Sequence, residues 1–196
     1  MKRKIKTAIL ISGRGSNMQA LIKASLDSDF PAQIVLVLSN KADAAGLKFA
    51  EQNNIATAVI DHKKFANRQD FDQKIDEVLQ SHQVELVCLA GFMRILSPQL
   101  VKKWHKKMIN IHPSLLPNFK GANAVLDALN AQAKITGCTT HFVSEEVDAG
   151  EIILQSQVTI ATDDNLASLS AKILDQEHII YPRSLKIVCE NLLKKI

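Results

Sequence analysis

The stretch Ala8-Ile9-Leu10-Ile11-Ser12-Gly13-Arg14-Gly15-Ser16-Asn17 joins an apolar run to a glycine-rich loop at the start of an amphipathic segment. Four consecutive apolar residues predict a strand that is buried on both faces, as in a parallel sheet. Residues 18–26 follow with helical spacing, so the glycine loop connects a strand to a helix. A strand, a loop and a helix in this order favour an α/β fold.

The same alternation continues through the first half of the chain. Short apolar runs predict further buried strands at residues 34–38, 58–60 and 86–90, and helical spacing predicts helices at residues 45–53 and 69–82. Nearly continuous apolar strands separated by helices indicate a mostly parallel sheet with helices on both faces. Right-handed crossovers then make this half Rossmann-like.

The second half of the chain is less regular. Ser97 is predicted to cap a helix that carries Pro98 in its first turn. The remaining predicted elements are a strand at 108–112, a helix at 123–131, strands at 139–143 and 152–158, a helix at 166–177 and further helix after Pro182. Because the last two strands flank a turn, we expect the sheet to end with partly antiparallel pairing.

Composition excludes several classes of protein. Hydrophobic residues make up 46% and charged residues 22% of the sequence, which is typical of a globular chain and not of a disordered one. The formal net charge of +4 comes without a basic–aromatic stripe, so it suits a small anionic ligand better than nucleic acid. We see no signal peptide and no long apolar span, and we expect a soluble cytoplasmic protein. Cys88, Cys138 and Cys189 are predicted to be reduced core residues.

The glycine loop favours an anionic ligand. Glycines allow a tight turn, and the free N–H groups at a helix start attract phosphate. Met18 stands where the dinucleotide fingerprint has a third glycine, and Asn40 follows the second strand where that fingerprint has an acidic residue. We therefore favour a single phosphate over a dinucleotide. The alternative is an ordinary strand-to-helix turn in which Asn17 caps the helix.

The segment Ile109-Asn110-Ile111-His112-Pro113-Ser114-Leu115-Leu116-Pro117 carries the strongest chemical signal in the chain. Strand alternation points Asn110 and His112 to one face. An amide can donate a hydrogen bond to a developing oxyanion, while an imidazole moves a proton near neutral pH. The alternative is that both side chains are polar groups with a purely structural role.

Asp148 lies in the turn Glu145-Glu146-Val147-Asp148-Ala149-Gly150. Placed against His112, its carboxylate would favour the imidazolium and hold the orientation of the ring. Ordinary turn chemistry also explains an acidic residue before Ala-Gly. Spacing in the sequence leaves both interpretations open.

Four strings of residues carry a resemblance to a known family. They are Ile11-Ser12-Gly13-Arg14-Gly15-Ser16-Asn17, Leu89-Ala90-Gly91-Phe92-Met93-Arg94-Ile95-Leu96, residues 110–117 and Asp148-Ala149-Gly150. Together they resemble the phosphoribosylglycinamide formyltransferases, folate-dependent enzymes of purine synthesis, and the match continues to Gln176-Glu177-His178 and Tyr181-Pro182. The string at residues 110–117 alone marks only the wider formyltransferase superfamily.

The resemblance implies a role for individual residues. Catalysis would involve Asn110, His112 and Asp148, and the substrate phosphate would be bound by Gly15, Ser16 and Asn17. The rest of the ribosyl substrate is expected at Leu174, Asp175, Gln176 and Glu177. The folate is expected at Arg68, Met93, Arg94, Ile95, Leu96, Asn110, Ser144, Glu145, Glu146, Val147 and Asp148.

The implied reaction is direct transfer of the formyl group of 10-formyltetrahydrofolate, a cosubstrate, to the amine of 5'-phosphoribosylglycinamide in de novo purine biosynthesis. It would give formylglycinamide ribonucleotide and tetrahydrofolate through a tetrahedral intermediate, and it needs no metal. Asn110 and protonated His112 would stabilise the oxyanion, and Asp148 would order the water involved. The expected partners are these small molecules, without nucleic acid or membrane, and the expected state is a monomer or homodimer.

We expect one formyltransferase domain over residues 1–196, with a phosphate-binding half at about 1–105 and a catalytic and folate-binding half at about 106–196. Three other functions stay open. A formyl-folate hydrolase shares the three catalytic residues but transfers the group to water, and methionyl-tRNA formyltransferase shares the Ser-Leu-Leu-Pro segment. Both usually carry an additional domain, for which the chain between Thr7 and Ile196 is expected to leave no room. A noncatalytic nucleotide-binding module could keep the glycine loop, but it would not need all three polar residues.

Overall fold

A mixed sheet of seven strands forms the centre of the chain in a computed structural model that describes residues 2–195. The strands are β1 (Ile5–Ile11), β2 (Ala32–Ser39), β3 (Ala56–Val59), β4 (Leu86–Leu89), β5 (Met108–His112), β6 (Ile135–Phe142) and β7 (Ile152–Thr159). Their order across the sheet is β3-β2-β1-β4-β5-β6-β7. Neighbouring strands from β3 to β5 pair in parallel, whereas β6 pairs antiparallel with both β5 and β7. The predicted α/β class with an antiparallel end is therefore confirmed.

Helices connect the strands and cover both faces of the sheet. They are α1 (Ser16–Ser25), α2 (Ala45–Gln52), a short 3₁₀ helix (His62–Lys64), α3 (Arg68–Ser81), α4 (Pro98–Lys103), α5 (Ala124–Asn130) and α6 (Leu166–Leu193). Successive residues of β1 point to opposite faces. Ile9 and Ile11 therefore pack into a cluster with α1 and α6, whereas Ala8 and Leu10 pack into a second cluster with α3 and α4. The Ser97 side chain caps α4, as predicted, by accepting from the Leu100 N–H.

α6 runs without a break from Leu166 to Leu193 and contains Pro182. The interruption expected before this proline is therefore wrong. A proline inside a helix removes one backbone hydrogen bond and costs about 3 kcal/mol or more. Tyr181 and Leu185, on either side of it, are fully buried, and burial of a large apolar side chain contributes roughly 1.5–3 kcal/mol. Packing against the sheet thus offsets the local cost of the proline.

The carboxyl ends of β1, β4 and β5 lie at one edge of the sheet, because these neighbouring strands are parallel. The glycine loop at residues 13–17 follows β1, residues 90–96 follow β4 and residues 113–117 follow β5, so these three loops meet at this edge. The three cysteines are buried with free thiols, as predicted, and burial raises the pKa of Cys138 to about 12. Within residues 2–195, no helix has both the length and the apolar character that a membrane span requires.

Candidate active site

β5 and β6 bring Asn110 and His112 against a second histidine. Antiparallel pairing places Asn110 opposite His141 and His112 opposite Thr139. Because side chains alternate along a strand, Asn110 and His112 lie on the same face of the sheet. His112 is 5% exposed and His141 is 2% exposed, so both imidazole rings are largely shielded from water.

The turn between β6 and β7 brings Asp148 to His112. The carboxylate Oδ2 lies 3.3 Å from His112 Nδ1 and accepts a hydrogen bond of 2.9 Å from the Gly121 N–H. Gly150 allows this turn to approach the end of β6, since a Cβ at that position would lie 1.7 Å from the Phe142 carbonyl oxygen. The glycine that follows Asp148 in the sequence therefore has a direct geometric role in bringing the carboxylate to the histidine.

His112 has a hydrogen-bond acceptor at each ring nitrogen. Nε2 lies 2.8 Å from the Phe119 carbonyl oxygen, and Nδ1 faces the Asp148 carboxylate. A proton on Nε2 is donated to the Phe119 carbonyl oxygen. The Phe119 carbonyl occupies the direction in which Nε2–H points. A substrate that uses this proton must therefore displace that carbonyl group.

His141 completes the polar cluster, although no local sequence pattern singles it out. Its Nδ1–H donates to the Phe142 carbonyl oxygen at 2.9 Å, which leaves Nε2 to accept from the Asn110 amide at 3.3 Å. Burial is the largest effect on the pKa of His141 and lowers it, whereas the Phe142 hydrogen bond and the Asp148 carboxylate raise it. The hydrogen bonds and the lowered pKa both fit a neutral ring. The register of β6 against β5 is the only signal that would have identified this residue.

The glycine loop ends at Gly15, which precedes α1 with a φ of 71° and without a side-chain cap. The alternative in which Asn17 caps the helix is therefore wrong. The Asn17 amide donates instead to Glu177 Oε2 at 2.7 Å. The first N–H groups of an α-helix have no partner within the helix. With no side chain capping them here, they remain available to an anion.

Asn17 and Glu177 form a buried polar pair between α1 and α6. Asn17 is 8% exposed and Glu177 is 7% exposed. Burial raises the pKa of Glu177, and the hydrogen bond from Asn17 opposes that shift. Asn17 Oδ1 is buried without a hydrogen-bond partner among the described residues. A cleft of about 490 Å³ lies between α1 and α6, and its lining includes Ser16 and His178, which are sequence neighbours of Asn17 and Glu177.

Only one of the four residues expected to bind the ribosyl substrate on α6 touches the glycine loop. Glu177 does so through Asn17. Gln176 instead accepts a hydrogen bond of 2.8 Å from Ser156 on β7. Asp175 is exposed and Leu174 is half-buried. Successive residues of a helix point in different directions, so these four side chains have different surroundings.

The expected folate segment after β4 is an irregular loop with mixed exposure. Met93 is 66% exposed and Ile95 is 59% exposed, whereas Leu96 is 8% exposed and packs into the core cluster beneath α3 and α4. The side chains of Met93 and Ile95 therefore leave apolar surface open at this edge of the sheet. Leu96 can contribute to a ligand site mainly through its backbone.

Two arginines expected at the folate lie around one buried carboxylate. Asp72, on α3, is 2% exposed and accepts a hydrogen bond from the Ser97 N–H. Burial is the largest effect on the pKa of Asp72 and raises it, while the charges of Arg68 and Arg94 lower it. Asp72 thus brings the start of α3 together with the loop after β4. The sequence patterns do not single out Asp72.

The loop at residues 144–148 is held by polar contacts at both ends. Ser144 Oγ donates to the Glu146 carbonyl oxygen at 2.8 Å. The Glu146 carboxylate accepts from Lys120 at 2.9 Å, and Glu145 lies 3.5 Å from Lys102. Val147 is 47% exposed.

Within residues 2–195, no group of three or more His, Cys, Asp or Glu side chains could hold a metal ion.

Comparison with known proteins assigns the chain to a family. A family profile described as formyl transferase matches residues 5–185. Phosphoribosylglycinamide formyltransferase of Haemophilus influenzae is 44% identical over 189 residues, and the match covers 96% of this chain and 89% of that protein. The chain belongs to the phosphoribosylglycinamide formyltransferase family.

Two further relatives differ in how much of their own length this chain covers. The crystal structure of glycinamide ribonucleotide transformylase 1 from Symbiobacterium toebii superposes with a TM-score of 0.94 at 38% identity, covering 97% of this chain and 90% of that one. The human trifunctional purine biosynthetic protein adenosine-3 is 52% identical over 190 residues. That match covers 97% of this chain but only 19% of the human protein, so the chain spans a small part of the trifunctional relatives.

Replacing His141 with glutamine tests whether its buried ring is neutral. A histidine whose pKa is lowered in the folded state takes up its proton first in the unfolded chain, so the stability it contributes is lost as the pH falls below 6.5. We expect this one group to lower the free energy of unfolding of the wild-type protein by at most about 1.4 kcal/mol per pH unit in that window. His141→Gln is expected to lack that part of the slope.

Urea unfolding of both proteins at a series of pH values measures the difference. His178, whose pKa is also lowered by burial, is present in both proteins and cancels in the comparison. Identical pH slopes for the wild-type protein and His141→Gln would contradict the neutral, buried ring.

Proposed function

We propose that this chain transfers the formyl group of 10-formyltetrahydrofolate to the amine of phosphoribosylglycinamide, a reaction of de novo purine biosynthesis. One observation carries the proposal: the Asp148 carboxylate lies 3.3 Å from His112 Nδ1. His112 is on β5, the strand that also carries Asn110. Membership of the phosphoribosylglycinamide formyltransferase family supports the same reaction. A cytoplasmic location and a monomeric or homodimeric state stay predictions from the sequence.

In the proposed mechanism, the substrate amine attacks the formyl carbon and forms a tetrahedral intermediate. Its oxyanion requires preorganised hydrogen-bond donors. Asn110 has two amide hydrogens, of which one faces His141 Nε2 and the other is available to the oxyanion. His112 Nε2–H would supply the second donor once the Phe119 carbonyl has moved away. Collapse of the intermediate then breaks the bond between the formyl carbon and N10 of the folate.

Proton transfer balances this exchange of bonds. The attacking amine loses one proton, and N10 of the departing folate gains one. His112 is the group placed to carry a proton between them, since an imidazole accepts and donates near neutral pH. Asp148 would accept from Nδ1–H and so orient the ring with Nε2 toward the substrate. His141 would hold the Asn110 amide in the orientation that points its free N–H at the oxyanion.

We assign the phosphate of the acceptor to Gly15, Ser16 and Asn17. The uncapped start of α1 supports this assignment, because its unpaired N–H groups and the helix dipole attract an anion. His178 lines the same cleft as Ser16 and would add a further hydrogen bond. Glu177 would accept hydrogen bonds from the ribosyl part of the substrate. Leu174, Asp175 and Gln176 stay predicted members of the same site.

We assign the folate to the loop after β4 and to the turn between β6 and β7. Met93, Ile95 and Val147 are 66%, 59% and 47% exposed, and such apolar surface suits an aromatic pterin ring. The backbone of residues 93–96 and of residues 144–148 would supply its hydrogen bonds. Arg68 and Arg94 carry positive charge near this surface and suit the carboxylates of a folate tail.

A formyl-folate hydrolase is the second candidate, since it would use Asn110, His112 and Asp148 with water as the acceptor. The glycine loop favours the transferase, because water needs neither an anion-binding helix start nor the buried Asn17–Glu177 pair beside it. A phosphorylated acceptor uses both features.

Purified protein distinguishes these functions directly. We expect tetrahydrofolate to form from 10-formyltetrahydrofolate only when phosphoribosylglycinamide is also present, with formylglycinamide ribonucleotide as the second product. Absorbance of the folate and chromatography of the ribonucleotide measure the two products. Folate release that ignores the ribonucleotide would indicate the hydrolase. No release under either condition would indicate a noncatalytic binding module.

His112→Ala tests the proposed proton-transfer group. We expect kcat to fall by about 10²–10⁴-fold, the usual contribution of a positioned acid or base, while both KM values change little. His105→Ala is the matched control, because His105 is exposed on the surface and should leave turnover unchanged. Circular dichroism and the Tm of each variant check that it is folded. A folded His112→Ala variant with wild-type kcat would remove His112 from the mechanism.

A further inference from the structure

Residues 40–46, which form the loop after β2 and the start of α2, contact both of the segments that we assign to ligands. It belongs to neither of them. One contact leads from Asn40 through Ser12 to Met93 in the folate segment. Another leads from Gly46 to Gly13 in the glycine loop.

Asn40 forms part of a buried chain of hydrogen bonds. The Met93 N–H donates to Ser12 Oγ at 2.8 Å, and the Ser12 hydroxyl donates in turn to Asn40 Oδ1 at 2.6 Å. Asn40 Nδ2 lies 3.2 Å from His62 Nδ1, which fixes the orientation of the amide. Asn40 is 1% exposed and Ser12 is 6% exposed. Water therefore cannot readily replace a lost partner in this chain.

The position of the Met93 backbone depends on this chain. Residues 93–96 form neither helix nor strand, so regular hydrogen bonding does not set their conformation. Ser12 holds this segment in two ways, since its own N–H also donates to the Gly91 carbonyl oxygen at 3.1 Å. Without Asn40, the Ser12 hydroxyl has no acceptor and is free to rotate away from the Met93 N–H.

Gly46 holds the glycine loop through a separate contact. Its N–H donates to the Gly13 carbonyl oxygen at 3.1 Å. A Cβ at Gly46 would lie 2.6 Å from the Ile11 side chain, 3.2 Å from that same oxygen and 3.3 Å from the Arg14 carbonyl oxygen. All three distances are tighter than ordinary van der Waals contact. The end of the Ile11 side chain can rotate away, but the two carbonyl groups are backbone, so even alanine at this position has to push the loop outward.

We propose that residues 40–46 form a shared brace, a segment that holds both the proposed folate segment and the glycine loop in position. Asn40 positions the folate segment through Ser12, and Gly46 positions the glycine loop. Both are positioning residues, because neither lies in a segment assigned to a ligand. The inference rests on the proposed function, which assigns those two segments to the folate and to the phosphate. The Asn40 and Gly46 contacts belong to one continuous segment but are independent of each other, so we expect each to affect the affinity for a different ligand.

Two single substitutions test the Asn40 contact and the Gly46 contact separately. Asn40→Ala is expected to weaken tetrahydrofolate binding about tenfold, since a buried hydrogen-bond partner is lost, and to leave phosphoribosylglycinamide binding within about twofold of wild type. Gly46→Ala is expected to show the reverse pattern. Isothermal titration calorimetry measures both Kd values for each protein, and the Tm reports whether each variant is folded.

Matched variants control for a general loss of structure. Asn40→Asp keeps an acceptor for Ser12 and is expected to restore most of the folate affinity. Ala45→Ser, at an exposed position beside Gly46, is expected to change neither Kd. Ser12→Ala breaks the same chain and replaces Asn40→Ala if that variant does not fold. The double variant Ser12→Ala with Asn40→Ala should bind folate no more weakly than Ser12→Ala alone, because both changes break one chain.

If each variant bound both ligands more weakly and to the same degree, the proposed brace would be wrong. Unchanged Kd values in both variants would contradict it as well. The same preparations are assayed for formyl transfer. A wild-type protein that binds both ligands without transferring the formyl group contradicts the proposed function but leaves the test of the brace intact. A wild-type protein that binds neither ligand contradicts both.

Discussion

Antiparallel pairing of β6 against β5 is the constraint on which the candidate active site depends. The strands that precede β6 pair in parallel, so this reversal is what places His141 opposite Asn110. The turn between β6 and β7 then folds over the face that carries Asn110 and His112. There, one carboxylate, that of Asp148, lies against His112 Nδ1 and also accepts the Gly121 N–H. The polar cluster thus depends on strand register as much as on its own side chains.

Features that depend on residues close in sequence can be predicted from the sequence. The alternation of apolar strands and amphipathic segments predicts the α/β class, and the pattern Ser97-Pro98 predicts the start of α4. The shared face of Asn110 and His112 follows from strand geometry alone. The expectation that Asp148 reaches His112 came from family resemblance. Its physical basis is the close approach of Gly150 to the end of β6, which no spacing rule expresses.

Features that depend on tertiary packing cannot be predicted in this way. Asn17 and Glu177 meet across 160 positions of the sequence, because α6 packs against α1. The same burial carries α6 through Pro182, where the propensity of a single residue predicts a break. Asn40 is a further example of a contact that depends on tertiary packing. Its place after β2 departs from the dinucleotide fingerprint, but its contact with Ser12 is visible only once β1 and β2 are paired.

The two halves of the proposed cleft meet at one reacting carbon, so a crystal structure with both substrates tests the mechanism most directly. Suitable ligands are phosphoribosylglycinamide and a nonreactive analogue of 10-formyltetrahydrofolate. We predict the phosphate at the N–H groups of Ser16 and Asn17, and the formyl oxygen about 3 Å from the Asn110 amide and from His112 Nε2, with the Phe119 carbonyl displaced. A phosphate bound away from the start of α1, or a formyl oxygen beyond hydrogen-bonding reach of His112, would contradict this mechanism.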